Sequence, residues 1–370
     1  MHQVIAPMTP SERIRTAIAL QLPDRVPVGL LVDTFAAAYC GMKVEDFVYK
    51  EGAYGRALER CWEGLGRYDW VALGWGNKRL NLVTFPLRFV WVEGNYQTYE
   101  DEIMVPDDYD LIIDKGYSAF LDSYWPRVRP ELNVSAEERE AISDQLIEAM
   151  RIQGEAWRAQ GAEPQPVFAF NPFDMFCQMR RFENFVLDLH LRPGRVLEAC
   201  EIANETVIHD TIEMSRRTGL DMVLIALHRS CYFSPLQFER FSFPLLRRLC
   251  TELVAAHLVP ILHCDGNWTA HLPFLLALPK ARCIVQLDGT TDIWKAEEIL
   301  AGHVCIMGDV PPSLTTLGTP AQVREYCARL IQTIGRDGGF ILSTGCDVPY
   351  TADPANIRAI VDVAREHAYH

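Results

Sequence analysis

Three features of the 370-residue chain predict an α/β fold organised as a (β/α)8 TIM-type barrel with an N-terminal helical and antiparallel excursion. First, short apolar runs recur from Val167 onward, each followed by an amphipathic stretch, as parallel strands alternate with the helices that cover them. Second, two of these runs break off in metal-competent side chains and glycine, the way barrel strands deliver chemistry to their C-terminal rim. These are Leu262-His263-Cys264-Asp265-Gly266-Asn267 and the stretch from Gly338 through Phe340-Ile341-Leu342 to Gly345-Cys346-Asp347. Third, no GxGxxG follows the first strand, which leaves the competing doubly wound dinucleotide fold with little support.

The elements follow in order. Ser11 to Leu20 reads as a short helix, and Pro23-Asp24-Arg25 turns the chain into a first barrel strand, Val26 to Val32. Residues 77–126 are rich in aromatics, charges and turn formers, with strand-like stretches such as Leu87-Arg88-Phe89-Val90-Trp91-Val92. They predict an antiparallel excursion outside the barrel. Residues 135–160 read as a helix opened by the capping box of Ser135 and Glu138. The later strands are Val167–Phe170, Met222–Leu227, Val259–Leu262, Cys283–Leu287, Val304–Met307 and Phe340–Leu342. Between and after them, Thr319-Pro320 and Asp353-Pro354 each place a capping side chain before a proline at the first helical position. Without a repeat or a low-complexity linker, residues 1–370 read as one domain.

Composition narrows the function. Hydrophobic residues make up 49% of the chain, enough to fill a large core. A formal net charge of -14, with no basic block, argues against nucleic acid or an anionic membrane as partner. Met1 to Pro10 lacks the charged-then-apolar pattern of a secretory leader, and no apolar run is long enough to span a bilayer, so a cytoplasmic location is expected. The 11 cysteines contain no CxxC pair, which suits reduced thiols. Cys200, Cys250, Cys283, Cys305 and Cys327 sit in apolar patterns and read as core filler.

On an extended segment side chains alternate, so His263 and Asp265 share one face and Cys264 points the other way. Cys346 reaches the same rim from another strand. The three offer nitrogen, oxygen and sulfur to a borderline-soft ion such as zinc, with one position left open. The alternative is that His263 and Asp265 bond loop backbone while Cys346 is a rim thiol. Asn171, Asp174, His228, Arg229, Asp288 and Asp309 also fall at strand ends. They read as substrate-holding or acid-base groups, or as caps of the following helices. Asp288 and Asp309 are the preferred catalytic candidates, and His228 a substrate contact. Phe170, Phe173, Met175 and Tyr232, with Phe176 and Phe233, suit a wall for a flat apolar ligand, or else helix-to-barrel packing.

These residues resemble the uroporphyrinogen decarboxylase superfamily, particularly its corrinoid-dependent methyltransferase branch. The resemblance rests on Arg13-Ile14-Arg15-Thr16-Ala17 with Asp24-Arg25-Val26-Pro27-Val28, then Ser234-Pro235-Leu236-Gln237-Phe238 through Phe241 and Pro244. It continues in His263-Cys264-Asp265-Gly266-Asn267, Gly308-Asp309-Val310 with Leu317-Gly318-Thr319-Pro320, and Gly338 to Cys346. It implies a (β/α)8 barrel whose rim either decarboxylates a tetrapyrrole or transfers a methyl group to or from a corrinoid. In methyltransferase relatives zinc is held by a His-x-Cys pair and a later Cys, which fall here on His263, position 265 and Cys346. This chain has Asp265 where the second thiolate would stand, so either the carboxylate serves or Cys264 substitutes by a local twist.

Decarboxylases match less well. Their arginine-rich segment after the first strand is replaced by Leu31-Val32-Asp33-Thr34-Phe35, and the stretch Tyr68-Asp69-Trp70 through Gly74-Trp75-Gly76 offers no convincing counterpart of their catalytic aspartate. The expected activity is therefore zinc-dependent methyl transfer between a small substrate, such as a methoxylated aromatic or a thiol, and a corrinoid. No Asp-x-His-x-x-Gly signature is present in the chain, so the corrinoid is expected on a separate partner protein. Tetrapyrrole decarboxylation stands second, and a non-catalytic relative that binds a corrinoid protein or tetrapyrrole third.

Overall fold

The computed structural model describes residues 6–72, 76–131 and 135–368. The chain forms an α/β fold with a parallel β-sheet core and an N-terminal helical and antiparallel region, consistent with a modified TIM-barrel-like arrangement. The strands are β1 (Gly29–Leu30), β2 (Trp70–Val71), β3 (Arg88–Val92), β4 (Asn95–Tyr99), β5 (Val167–Phe170), β6 (Met222–Leu227), β7 (Val259–Cys264), β8 (Ile284–Leu287), β9 (Cys305–Val310) and β10 (Phe340–Thr344). β5 to β10 form one six-stranded parallel sheet in sequence order. The parallel pair β1–β2 stands between its two edges: Val28 bridges to Leu342 of β10, and Trp70 to Glu163 just before β5. Strands covered on both faces must be apolar on both, and β6, β8 and β9 are buried at every position.

Helix starts follow the local chemistry. Thr9 and Glu12 form a capping box on helix Pro10–Ile18, Ser135 and Glu138 one on Ala136–Ala159, and Thr319 and Gln322 one on Pro320–Thr333. Asp353 caps Pro354–Glu366 through the amide of Ala355.

Two expectations are corrected. The first strand is regular, in register with β2, only over Gly29–Leu30 and not Val26–Val32; before it Pro27 has no amide to donate and the amide of Val28 goes to the Asp69 carboxylate at 2.9 Å, leaving a single bridge from Val28 to Leu342. The excursion is antiparallel only in the β3–β4 hairpin, whose turn residues Glu93 and Gly94 have φ of 50° and 81°. Around the hairpin lie helices Lys78–Thr84, Asp107–Lys115 and Tyr117–Val128. Acidic residues Asp107, Asp108 and Asp110 favour the start of the second, and Tyr109, Ile112, Phe120 and Tyr124 bury its inner side and that of the third in a separate aromatic core with Phe176. Among the described residues, no helix is long and apolar enough to cross a membrane.

Candidate metal centre

Four rim side chains from three strand ends converge. His263, the penultimate residue of β7, lines the cavity, and its Nε2 lies 3.1 Å from Asp265 Oδ1. The other carboxylate oxygen lies 3.4 Å from Nε2 of His228, which follows β6. Cys346, just past β10, places Sγ 3.7 Å from the same His263 nitrogen. Single donor atoms of His228, His263 and Asp265 all fall within 4.8 Å of one another. Alternation along β7 explains the choice of side chains: Cys264 is buried in the outer core with Leu262, so the arrangement presents Asp265 and not Cys264 to the centre.

Behind the cluster, Gln286 of β8 accepts at Oε1 from Nδ1 of His263 at 2.8 Å. With Nδ1 so occupied, Nε2 is the atom left to ligate. Asp288, after the same strand, accepts from the Gly266 amide at 2.7 Å and from Thr290, and thereby pins the loop that carries Asp265. Imidazole, carboxylate and thiol are all zinc ligand types, and this donor set fits a borderline-soft divalent ion.

The electrostatics are those of closely coupled groups. Burial opposes charge on His263, but Asp265 and Cys346 outweigh it and raise its pKa well above the usual value. Burial alone would raise Asp265, yet the two imidazoles bring it down to about 2. His228, desolvated and facing His263 and Arg229, falls to about 4 despite Asp265. Burial pushes the Cys346 thiol up, against the opposing pull of His263.

The cluster opens into a cavity of about 200 Å³. Phe168 and Phe170 from the end of β5, Phe85, and Phe89 from the hairpin form its flat walls. Lys78, Asp33 and Tyr96 also line it, with Lys78 Nζ 2.7 Å from Asp33 Oδ2 and Tyr96 Oη also on that oxygen.

The sequence pattern described as Uroporphyrinogen decarboxylase (URO-D) matches residues 127–367, which take in His228, His263, Asp265 and Cys346. The chain belongs to this family. A uroporphyrinogen decarboxylase of Burkholderia cenocepacia is 24% identical over 224 residues, 57% of this chain and 60% of that protein. Another, of Paraburkholderia phytofirmans, is 22% identical over 73% of this chain and 76% of its own length. The chain thus spans about 60% of the first relative's length. Among solved structures, a methyltransferase from Methanosarcina mazei shares the fold with a TM-score of 0.71 at 16% identity, covering 97% of this chain and 99% of that one.

The remaining candidate residues of this URO-D family member lie as follows. Phe170 and His228 line the cavity, and His228 also stands among the clustered side chains that could hold a metal ion. Phe173 and Met175 do not line it. Asn171 accepts from the Phe173 amide and starts helix Pro172–Met179 at once, so both side chains turn into the aromatic core with Phe185 and Phe233. Tyr232 is 63% exposed and borders the groove at the cavity mouth. Asp309 is buried outside the cavity lining, its Oδ1 accepting from Tyr326 Oη of helix Pro320–Thr333 at 2.7 Å. Burial pushes this carboxyl up to about 7. Asp174 is committed to the amides of Arg229 and Ser230, a loop anchor. Asp69 pairs with Arg13 and Arg25, while Gly74 and Trp75 lie outside the described residues.

Sequence reasoning missed Gln286 and the Asp33, Lys78 and Tyr96 group. The first had a signal, a polar residue embedded in the apolar run of β8. The second had none, since its members are joined only by the fold.

Proposed function

We propose that this protein is a zinc-dependent methyltransferase that moves a methyl group between a small substrate, such as a methoxylated aromatic, and a corrinoid carried on a separate protein. The observation that carries this reading is the convergence of His263, Asp265 and Cys346, joined by His228, at one wall of an aromatic-lined cavity. Zinc held there would supply Lewis-acid polarisation of the heteroatom that gives up its methyl group. The chain's own residues do the rest. Gln286 fixes the ring of His263, Asp265 contributes negative charge beside two imidazoles, and Asp288 holds the Gly266 amide and so the loop. Phe85, Phe89 and Phe170 displace water and orient a flat ring. We take the parallel strands, with β1 and β2 between the sheet edges, as a complete (β/α)8 ring.

Tetrapyrrole decarboxylation, the activity named for the bacterial relatives, is served less well by this cavity. Its described lining brings Asp33, Asp265 and Asp347 toward a ligand, and its Lys78 is already paired with Asp33. A polyanionic porphyrinogen needs unspent cations instead. The test is paired: purified protein is given methoxyphenols with reduced cobalamin, and separately uroporphyrinogen. Methylcobalamin formation without carbon dioxide release is expected, and the reverse outcome overturns the assignment.

A further inference from the structure

The β3–β4 hairpin is pinned at its base and lightly held along its blade. Leu87, just before β3, and Ile103 and Met104, shortly after β4, are buried in the aromatic core, and the amides of Ile103 and Met104 both donate to the Met179 carbonyl, at 3.1 and 3.0 Å. Between these anchors β3 and β4 form a two-stranded sheet of their own, and neither strand has a fully buried position. A segment with fixed ends and little buried apolar surface opens as a unit at low cost. Polar contacts tie the blade to the barrel rim. Tyr96 Oη donates to Asp33, and Glu100, the residue after β4, pairs with the guanidinium of Arg229 across 129 positions of chain.

The two halves of that ion pair differ in how they are held. Arg229 is a fixed post: its amide donates to the buried Asp174 carboxylate at 2.6 Å, and its Nη1 donates to the His228 carbonyl at 3.0 Å. Glu100 travels with the blade. The pair lines the groove of about 490 Å³ at the cavity mouth, which shares Phe85, Thr98, His228 and Asp265 with the inner cavity of about 200 Å³. Arg229 and Glu100 border the groove alone, while Cys346 borders the inner cavity alone. We infer that the hairpin is a hinged lid and the Glu100–Arg229 pair its latch, so that breaking the pair swings Phe89, Tyr96 and Thr98 off the inner cavity and merges it with the groove. The side chains of the pair are 26% and 24% exposed, which makes the contact strong enough to favour closure and weak enough to break within the folded chain. This inference goes beyond the methyl-transfer reading and does not rest on it, since it concerns access to the cavity alone.

The test is the rate at which iodoacetamide alkylates Cys346 in the full chain, followed by peptide mass spectrometry. A chelator is present throughout, so that access to the thiol and not bound metal sets the rate. Cys40, half-buried at the end of helix Thr34–Tyr39 with its thiol against the Ala57 carbonyl, is the internal control for general loosening. Glu100→Gln and Arg229→Gln are each expected to speed alkylation of Cys346 roughly three- to tenfold and to leave Cys40 within about twofold of the wild type. The double variant is expected to react no faster than the faster single one, because both remove the same contact. An unchanged Cys346 rate in Glu100→Gln, equal acceleration of the two thiols, or additive effects in the double variant overturns the latch. A latch upheld by these rates in a protein that transfers no methyl group to reduced cobalamin would leave the lid standing and remove the proposed activity.

Discussion

Cys346 Sγ lies 3.7 Å from His263 Nε2, although 83 positions of chain separate the two residues. Both nitrogen and sulfur face Asp265, and nothing about ordinary core packing asks a thiol, an imidazole and a carboxylate to share such a point. The first prediction follows from that contact. Protein purified without chelator is expected to carry zinc near one per chain by mass spectrometry of the metal. His263→Ala and Cys346→Ala are each expected to weaken zinc retention by at least roughly tenfold. Full retention in the double variant removes the site.

Gln286 touches His263 and not the space a metal would occupy. Gln286→Leu is therefore expected to preserve folding while weakening zinc affinity by ~10–100-fold in a chelator competition, the usual effect of losing the partner that orients a ligating imidazole. An unchanged affinity would show that packing alone orients the ring.

Asp309 gives a pH-dependent stability. Burial raises its folded pKa to about 7, so between the ordinary carboxyl range and that value the folded state binds more protons than the unfolded one. Stability from this group is thus fully present at low pH and is lost as pH rises toward 7. Asp309→Asn can still accept from Tyr326 and cannot ionise. Urea unfolding should show the variant gaining on the wild type by on the order of 2 kcal/mol between pH 5 and pH 8. A difference independent of pH counts against the assignment.

Asp69 is expected to matter for folding and not for the metal. It accepts from Arg13 Nη1 at 2.5 Å, from both terminal nitrogens of Arg25 at 2.7 Å, and from the Val28 amide at 2.9 Å. Asp69→Asn leaves the buried Arg13 with Asp24 as its one carboxylate partner, beside the Met8 carbonyl, and should cost about 3 kcal/mol in urea unfolding. Zinc content should be unaltered; metal loss without destabilisation would move Asp69 into the functional machinery.

How far the sequence reveals this molecule depends on what each residue's role requires. β5 to β10 were legible because a strand covered on both faces must be apolar throughout, which leaves a run that local inspection detects. The inward pairing of His263 with Asp265, and the outward turn of Cys264, follow from the two-residue period of β7. His228 was visible at a strand end, but no periodicity says which rim side chain will lean toward which neighbour. Phe173 and Met175 show the converse: their aromatic and thioether character suited a ligand wall, yet the cap at Asn171 starts a helix that carries them into a core. Helices Asp107–Lys115 and Tyr117–Val128 were obscured by dense aromatics and by Pro126 within the second. Asp33, Lys78 and Tyr96 are brought together across separations of 45 and 63 residues, which no local pattern encodes.

The β3–β4 hairpin supplies Phe89 and Tyr96 to the cavity, while His228, His263, Asp265 and Cys346 ride on the loops and strands of the parallel sheet. Part of the cavity wall thus comes from outside the parallel sheet, while Phe168 and Phe170 of β5 supply another part from within it. Exchanging the hairpin side chains Phe89 and Tyr96 would therefore alter which molecules are admitted without replacing any of the four clustered side chains.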